Sequence, residues 1–394
     1  MIERTLKTRI LDAARKFPVV TLFGPRQSGK TTLVKSAFED WRYVNLEQSR
    51  TRMLARTDPT LFFSSYPAPL VIDEVQRVPE LLSEIQVLSD ETGEPGRFVI
   101  TGSHQPLLQD KVAQSLAGRT AILELYPLSI AELSPLSADK PKGRDEILWT
   151  GGLPRIFDRS IPPPDVYEGW FRTYVERDVR QILNVSNLGS FETFVRLLAG
   201  RVGQVANLQT LAGDVGVSAP TLRSWLSVLE ASFVTFTLRP YWNNYGKRLV
   251  KTPKIYFADT GLACWLLGIS RPEQAGRDPL LGGLFENLVV LEALKWKKNT
   301  GAPVEFYFFR DNGTMEVDML MDCGRKLHLF EIKAGMTPDF SFGRHMAAFR
   351  KRVPEAVSST VVYSGEPWPL PPDGRFVPFD HLAERLEELA DMPD

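Results

Sequence analysis

Residues 24–31 read Gly24-Pro25-Arg26-Gln27-Ser28-Gly29-Lys30-Thr31. This stretch matches the pattern G-x-x-x-x-G-K-[ST] at every fixed position. The apolar run Pro18–Phe23 before it is typical of a short buried strand, and the residues after it can open a helix. A strand, a glycine-containing loop and a helix in this order form a phosphate-binding loop; without that context the letters would be a chance turn. The stretch therefore predicts nucleotide binding.

The loop also predicts a role for each of its residue types. Its glycines allow a tight turn in which successive backbone N–H groups point at phosphate oxygens. The helix N-terminus adds partial positive charge. Lys30 is expected to reach the β- and γ-phosphates of ATP, and the Thr31 hydroxyl to ligate Mg²⁺. The residues expected to contact the nucleotide are Gly24, Pro25, Arg26, Gln27, Ser28, Gly29, Lys30, Thr31 and Thr32.

Length and composition set limits on the class of protein. A chain of 394 residues predicts two or three domains. The formal net charge of −1 argues neither for nor against a polyanionic partner. Cys264 and Cys323 are far apart, which suggests no metal spacing, and no signal peptide is evident. No run approaches the ~18 apolar residues of a membrane span. We therefore expect a cytoplasmic protein that has no membrane partner.

A later strand, Pro69–Ile72, ends in two acids, Asp73-Glu74. Such a pair alone usually marks a solvated loop, but downstream of a phosphate-binding loop it predicts catalysis. Asp73 would hold Mg²⁺, and Glu74 would orient and deprotonate the attacking water. The strand Trp41–Leu46 lies in sequence between the loop and these acids. This arrangement favours the subclass with an inserted central strand, which contains the AAA-type ATPases.

Two further residues are candidates for sensing the γ-phosphate. The strand Arg97–Thr101 leads to Ser103 and then His104. We predict that Ser103 senses the γ-phosphate; the alternative is a plain turn at the strand end. Arg119 could supply a cation to the γ-phosphate in its own chain or in a neighbouring subunit, which makes a homo-oligomer possible. An ordinary surface arginine is the equal alternative.

The middle of the chain predicts a winged helix-turn-helix. A short helix from Leu208, a turn at Gly216, and Ser218 as the N-cap of a second helix give the pattern. The strand Phe233–Leu238 follows. The next segment has five cations, no acids and three aromatic residues, a composition suited to DNA or another nucleic acid. The alternative is a lid or protein-docking role. These residues are Arg239, Tyr241, Trp242, Tyr245, Lys247, Arg248, Lys251 and Lys254.

The C-terminal part shows a possible metal site. A helix is predicted over Leu281–Leu294, with Glu286 inside an otherwise apolar run. Three strands are predicted next, at Val304–Arg310, Thr314–Met321 and Leu327–Lys333.

By alternation, Asp318 on the second strand and Glu331 and Lys333 on the third can meet on one face. The two acids would hold Mg²⁺ or Mn²⁺, with Glu286 completing the set, and Lys333 would orient the nucleophile. The alternative is solvent-facing charge on an edge strand.

The assembled order resembles a bacterial and archaeal group of AAA-type ATPases. The matching text is GPRQSGKTTL, PLVIDEVQ, FVITGS, LAGR…LELYPLS, GGLPRIF, YVERDV, KTPKIYFADTGL, LFENLVVLE, EVD and FEIK. The resemblance implies an ATPase, a winged helix and a domain similar to PD-(D/E)XK nucleases. It supports site roles for Lys30, Thr31, Asp73, Glu74, Ser103, Glu286, Asp318, Glu331 and Lys333. The sequence Asn45-Leu46-Glu47 departs from the aspartate expected at the second strand.

Together these patterns predict an α/β protein with four segments. They are an AAA-type ATPase domain (1–150), a helical lid or linker (151–200), a winged helix-turn-helix (201–260) and a nuclease-like α/β domain (261–394). The expected function is Mg²⁺-dependent ATP hydrolysis coupled to a C-terminal module that interacts with DNA and is a candidate nuclease. The alternative is a nucleotide-gated switch or DNA-binding regulator with an inactive nuclease-like fold.

Overall fold

The computed structural model describes residues 2–103, 111–112, 114–136, 141–179, 188–241, 252–311 and 315–392. The chain divides into two compact units. The first unit contains Met1–Leu128, Ala231–Val234 and Lys298–Gly301, and the second contains the remaining residues. Within the described ranges, every helix is too short or too polar to span a lipid bilayer.

The first unit is built on a parallel sheet of five strands in the order β2-β3-β4-β1-β5. Strand β4 lies between β1 and β3, which confirms the predicted inserted central strand. All six residues of β1 are buried, as expected for a strand covered on both faces. The strands are β1 (Val19–Gly24), β2 (Arg42–Asn45), β3 (Leu70–Asp73), β4 (Phe98–Ser103) and β5 (Thr120–Glu124).

Helices pack against this sheet, and α2 (Lys30–Ala37) begins at the end of the loop that follows β1. Helix α1 buries Leu6, Ile10 and Ala13 in a core that also contains Leu22 of β1 and Val99 of β4. Because the strands are parallel, the carboxyl ends of β1, β3 and β4 lie at the same edge of the sheet. The helices are α1 (Leu6–Ala14), α2 (Lys30–Ala37), α3 (Ser49–Thr57), α4 (Pro59–Ser65) and α5 (Leu81–Thr92), with a 3₁₀ turn at Val75–Arg77.

The second unit contains a mixed sheet of eight strands in the order β12-β13-β11-β10-β9-β8-β6-β7. The three strands predicted between residues 304 and 333 are confirmed as β8, β9 and β10. Strands β6 and β7 belong to the same sheet, so the boundary expected at residue 260 does not separate two sheets. The strands are β6 (Thr235–Pro240), β7 (Lys254–Phe257), β8 (Glu305–Arg310), β9 (Glu316–Asp322), β10 (Leu327–Lys333), β11 (Ala356–Tyr363), β12 (Trp368–Leu370) and β13 (Gly374–Pro378).

The predicted helix, turn and helix around Gly216 are also present. Gly216 adopts φ 77° at the end of α11 (Leu208–Val215), a backbone conformation that favours glycine. The Ser218 hydroxyl accepts a hydrogen bond from the Thr221 N–H (3.2 Å) at the start of α12 (Ala219–Ala231), which confirms the predicted N-cap. Residues 242–251, which hold Trp242, Tyr245, Lys247, Arg248 and Lys251, lie outside the described residues.

The helices of the second unit are α6 (Ile130–Leu133), α7 (Arg144–Thr150), α8 (Pro154–Arg159), α9 (Pro163–Thr173), α10 (Leu188–Ala199), α11 (Leu208–Val215), α12 (Ala219–Ala231), α13 (Thr260–Leu266), α14 (Pro272–Ala275), α15 (Leu281–Thr300), α16 (Arg344–Arg350) and α17 (Leu382–Ala390). A π-helical segment spans Tyr174–Val179, and 3₁₀ turns lie at Phe340–Gly343 and Phe379–His381.

Strand β7 is at the edge of the eight-stranded sheet, and one side chain of α15 binds it. The fully buried Asn287 accepts a hydrogen bond from the Phe257 N–H (2.6 Å) and donates one to the Phe257 carbonyl (2.9 Å). Both backbone groups of Phe257 are therefore paired without a neighbouring strand on that side. This contact also fixes the position of β7 against α15. On that helix, Glu286 directly precedes Asn287.

Substituting Asn287 tests this contact. Asn287→Ala leaves a buried N–H and a buried C=O without partners, so the free energy of unfolding should fall by about 3 kcal/mol. The measurement is urea unfolding of the full chain followed by tryptophan fluorescence. Gln209→Ala, at an exposed position of α11 in the same unit, is the control and should change little. Equal stabilities of the two variants would contradict a structural role for Asn287.

Candidate nucleotide site and candidate acidic site

The loop predicted to bind phosphate joins β1 to α2, and its glycines are required by the geometry. A Cβ atom on Gly24 would lie 2.3 Å from the Leu125 carbonyl oxygen, so no larger residue fits there. Gly29 has φ 92°, in the left-handed region that glycine adopts without strain. The strand, loop and helix order predicted for residues 18–35 is thus present.

Lys30 is buried inside this loop, with 6% of its surface exposed. Its ammonium group donates hydrogen bonds to the carbonyl oxygens of Gly24 (2.9 Å) and Pro25 (2.8 Å). Burial lowers the pKa of Lys30 to about 8, although the charges of Glu74 and Asp73 act in the opposite direction. A phosphate group entering the loop would supply the counter-charge that the two carbonyls lack.

Asp73 is fully buried and accepts hydrogen bonds from three hydroxyl groups. Thr31 (2.7 Å) and Tyr43 (2.6 Å) donate to Oδ2, and Thr101 donates to Oδ1. The structure therefore brings together Thr31 and Asp73, the pair predicted to hold Mg²⁺. Tyr43 was missed from the sequence, because its contact depends on β2 pairing with β3, which brings Asn45 opposite Asp73.

Glu74 follows at the end of β3 with φ 62°. Its N–H donates to the Thr101 hydroxyl (3.4 Å), and its carboxylate accepts from the Gln76 amide. Burial raises the pKa of Glu74, against the nearby charge of Lys30. In the sheet register, Ser103 of β4 pairs with Gly24, so its backbone lies next to the loop. His104 lies outside the described residues.

The structure contradicts a role for Arg119 at the γ-phosphate of its own chain. The Arg119 carbonyl accepts a hydrogen bond from the N–H of Val19, the first residue of β1. Gly24 is the last residue of that strand, so the two ends are separated by roughly 17 Å. The guanidinium is instead paired with Asp90, with one N–O distance of 2.9 Å. In this chain Arg119 lies at the opposite edge of the sheet from the loop.

In the second unit, the predicted acids lie on interior strands. Strand β9 lies between β8 and β10, and β10 lies between β9 and β11. The antiparallel register runs to the pair Phe330–Met319, so Asp318 faces Glu331 one residue further along. The Asp318 carboxylate also accepts a hydrogen bond from the Ile332 N–H (2.8 Å). The alternative of charge on a solvent-facing edge strand is therefore wrong.

Lys333 completes this group. Its ammonium nitrogen lies 2.7 Å from Glu331 Oε1 and 3.7 Å from Asp318 Oδ2. Burial, and next the charge of Asp318, raise the pKa of Glu331 to about 7. Glu331 is only 8% exposed, and its Oε2 atom has no hydrogen-bond partner in the part of the chain that the structure describes. A buried carboxylate oxygen without a donor fits a cation or another ligand.

A second lysine, Lys254 of β7, lies among the acids. Its ammonium nitrogen is 2.8 Å from Glu286 Oε1 and 2.7 Å from Glu316 Oε1, and its side chain is 2% exposed. Tyr256 donates a hydrogen bond to the same Glu286 oxygen (2.6 Å). Burial disfavours the charged form of Lys254, but Glu286, Asp318 and Glu316 outweigh this effect and hold its pKa above its usual value.

This position corrects one expectation from the sequence. Lys254 was counted among the cations available to a nucleic-acid backbone, but a buried ammonium bonded to two carboxylates cannot make that contact. Lys254 and Tyr256 were missed as site residues. Their spacing of two in a short strand places them on one face, which is the only sequence signal for them.

The acidic site therefore contains the carboxylates of Glu286, Glu316, Asp318 and Glu331 and the ammonium groups of Lys254 and Lys333. As arranged, no group of three or more His, Cys, Asp or Glu residues within the described ranges could hold a metal ion. The ammonium groups of Lys254 and Lys333 form ion pairs with these carboxylates instead. Asp318 and Glu331 supply oxygen atoms of the kind that divalent cations prefer, and within the described ranges Glu331 Oε2 has no donor.

Three family matches cover most of the chain. Residues 16–134 match the AAA domain, residues 142–273 match a domain of unknown function (DUF8612), and residues 281–378 match another (DUF4143). The first match includes the nucleotide site, and the third includes Glu286, Asp318, Glu331 and Lys333. The AAA domain identifies the N-terminal part as a nucleotide-binding ATPase at the level of the family.

Similar sequences match 92% of the chain, and a solved structure is also similar. The Walker-type ATPase PABY2304 of Pyrococcus abyssi aligns with 68% of this chain and 96% of its own, at 15% identity and a TM-score of 0.45. The uncharacterized proteins Mb2031c of Mycobacterium bovis and Rv2008c of Mycobacterium tuberculosis are each 34% identical over 372 residues, which are 92% of this chain and 80% of theirs. The chain therefore belongs to the family of these two mycobacterial proteins, with an AAA domain at residues 16–134.

Proposed function

We propose that this protein hydrolyses ATP with Mg²⁺ at the loop Gly24–Thr31, and that the ATP state controls a nucleic-acid-cleaving site in the second unit. The observation that carries the ATPase assignment is the contact between the Thr31 hydroxyl and the Asp73 carboxylate (2.7 Å), with Lys30 buried in the loop beside them. These are the groups that a nucleotide with its Mg²⁺ requires.

Each residue of the nucleotide site then has a defined role. Lys30 binds the β- and γ-phosphates in place of the two loop carbonyls. Thr31 and Asp73 hold Mg²⁺, which neutralises charge on the phosphates when it is bound. Glu74 accepts the proton of the attacking water, and the raised pKa of its buried carboxylate makes it a stronger base. Ser103 senses the γ-phosphate, and Arg119 acts only across a contact with a second copy of the chain.

The role of Glu74 can be tested by a single-atom change. Glu74→Gln removes the base while keeping the size of the side chain, so Mg²⁺-dependent phosphate release should fall ~10²-fold or more with nucleotide binding retained. Lys30→Ala should lose nucleotide binding itself. Glu91→Gln, at an exposed position of α5, is the matched control. If Glu74→Gln hydrolyses ATP at the wild-type rate, the assignment is wrong.

The buried Lys30 also predicts a pH dependence of stability without nucleotide. Its pKa is about 8 in the folded chain and 10.5 when unperturbed, so the unfolded state holds more protons between these values. Raising the pH through this window therefore stabilises the folded state, by about 2 kcal/mol between about pH 7.5 and 9.5. The measurement is the difference in unfolding free energy between wild type and Lys30→Met. A difference that is constant with pH would contradict this.

For the second unit, we propose that Asp318 and Glu331 bind one Mg²⁺ or Mn²⁺ ion and that the site cleaves phosphodiester bonds in DNA. The ion, when bound, activates water and neutralises the scissile phosphate. Lys333, between the two acids, orients the nucleophile. The proposal is supported by the interior position of both strands and by Glu331 Oε2, which has no donor among the residues that the structure describes. Solvated surface charges would have neither property.

A cleavage assay tests this proposal. Purified protein is incubated with labelled single-stranded, duplex and branched DNA and with RNA, in Mg²⁺ or Mn²⁺, with and without ATP. Cutting should require the metal and fall to background in Asp318→Ala and Lys333→Ala. Glu305→Ala, an exposed acid on β8, is the control.

The opposite result also has a defined meaning. No cutting with either metal, together with no stabilisation by the metal, would contradict the proposal. Salt-dependent DNA binding without cutting would then favour a nucleotide-gated regulator whose nuclease-like site is inactive.

A further inference from the structure

The strongest unexplained feature is a fully charged lysine inside the acidic site. Lys254 reaches Glu286 and Glu316 at 2.8 and 2.7 Å, and its side chain is almost completely buried. Its ammonium group also lies 5.4 Å from the centre of the Phe308 ring. The position is fixed from outside the site, because Asn287 bonds both backbone groups of Phe257 on the same strand. The fold around Lys254 thus holds its ammonium group within the acidic site.

The charges of the site divide into two groups. Lys254 is bonded to Glu286 and Glu316, whereas Lys333 is shared by Asp318 and Glu331. In the first group, Glu286 Oε1 already accepts hydrogen bonds from both Lys254 and Tyr256. In the second group, Glu331 Oε2 is buried and has no donor in the described part of the chain. Among the residues that the structure describes, Glu331 Oε2 is the one oxygen of these four carboxylates that is both fully buried and unpaired.

Electrostatics separates the two groups further. An ammonium group has three donors and no lone pair, so it can neutralise carboxylates but cannot share a ligand position with a metal ion. A divalent cation on Glu286 Oε1 would have to displace Lys254, whose side chain is 2% exposed, and a displaced buried charge is strongly disfavoured. A cation elsewhere on the Glu286 carboxylate would lie close to the Lys254 ammonium group and be repelled by it. Lys254 therefore disfavours a metal ion at Glu286.

We propose that Lys254 replaces a second metal ion, so that the acidic site binds a single divalent cation at Asp318 and Glu331 and Glu286 is not a ligand. This inference rests on the proposed cation site. It changes the assignment made from the sequence, in which Glu286 completed the ligand set. Glu286 instead holds Lys254 and Tyr256 in place, and is a positioning residue.

The test is the number of Mn²⁺ ions bound per chain, measured by electron paramagnetic resonance on nucleotide-free protein. The measurement does not depend on cleavage activity. Wild type should bind one ion at the acidic site. Glu331→Gln should lose that ion. Glu286→Gln should keep it with an affinity within about threefold of wild type, because the amide oxygen still accepts from Lys254 and Tyr256.

A second variant addresses Lys254 directly. In Lys254→Ala the carboxylates of Glu286 and Glu316 lose their cation, so a second Mn²⁺ ion should bind there. Circular dichroism confirms that the variant is folded; if it is not, the comparison of Glu286→Gln with Glu331→Gln decides alone. Asp90→Ala, in the first unit, is the control for unspecific loss of an acid.

The outcomes separate the inference from the proposed function. One ion that is lost in Glu331→Gln and kept in Glu286→Gln supports both. Two ions in wild type beyond any that Asp73→Asn removes from the nucleotide site, or equal weakening by both substitutions, overturn the role of Lys254 and leave the cation site standing. No bound Mn²⁺ at the acidic site overturns the cation site and the inference together.

Discussion

A carboxylate removed from water needs hydrogen-bond donors or a counter-charge, and both sites of this protein depend on how that need is met. In the first unit, Asp73 is satisfied by hydroxyl groups, which are neutral and can rotate towards a metal ion. In the second unit, Glu286 and Glu316 are satisfied by the buried ammonium group of Lys254, which remains bonded to them. Hydroxyl partners leave room for a cation to enter, whereas Lys254 is itself the cation.

The residues that the sequence predicted well are those whose neighbours are local. Gly24–Thr31 is one continuous stretch, and Asp73 ends a strand whose partners are parallel, so its place follows from general rules of α/β sheets. Glu331 and Lys333 are two apart on one strand, and alternation fixes their common face. In each case the chain needs only a few residues or one regular element to specify the arrangement.

The residues that the sequence misplaced depend on distant pairing. Lys254 was expected to be exposed because its segment is basic. However, β7 pairs with β6, and α15 covers the other side of β7. This arrangement brings Lys254 against Glu286. Arg119 directly precedes β5, and its distance from the loop follows only from the parallel pairing of β5 with β1. Tyr43 required the pairing of β2 with β3. None of these pairings leaves a signal in the residues themselves, because each partner is contributed by a separate segment.

The contact of Asn287 with Phe257 also affects how β7 can meet other molecules. Strand β7 is held by β6 on one side and by α15 on the other. An edge strand with unpaired backbone groups can serve as a template for pairing with a strand of another chain. At Phe257 both backbone groups are already bonded to Asn287, so this part of the sheet edge is closed to such pairing.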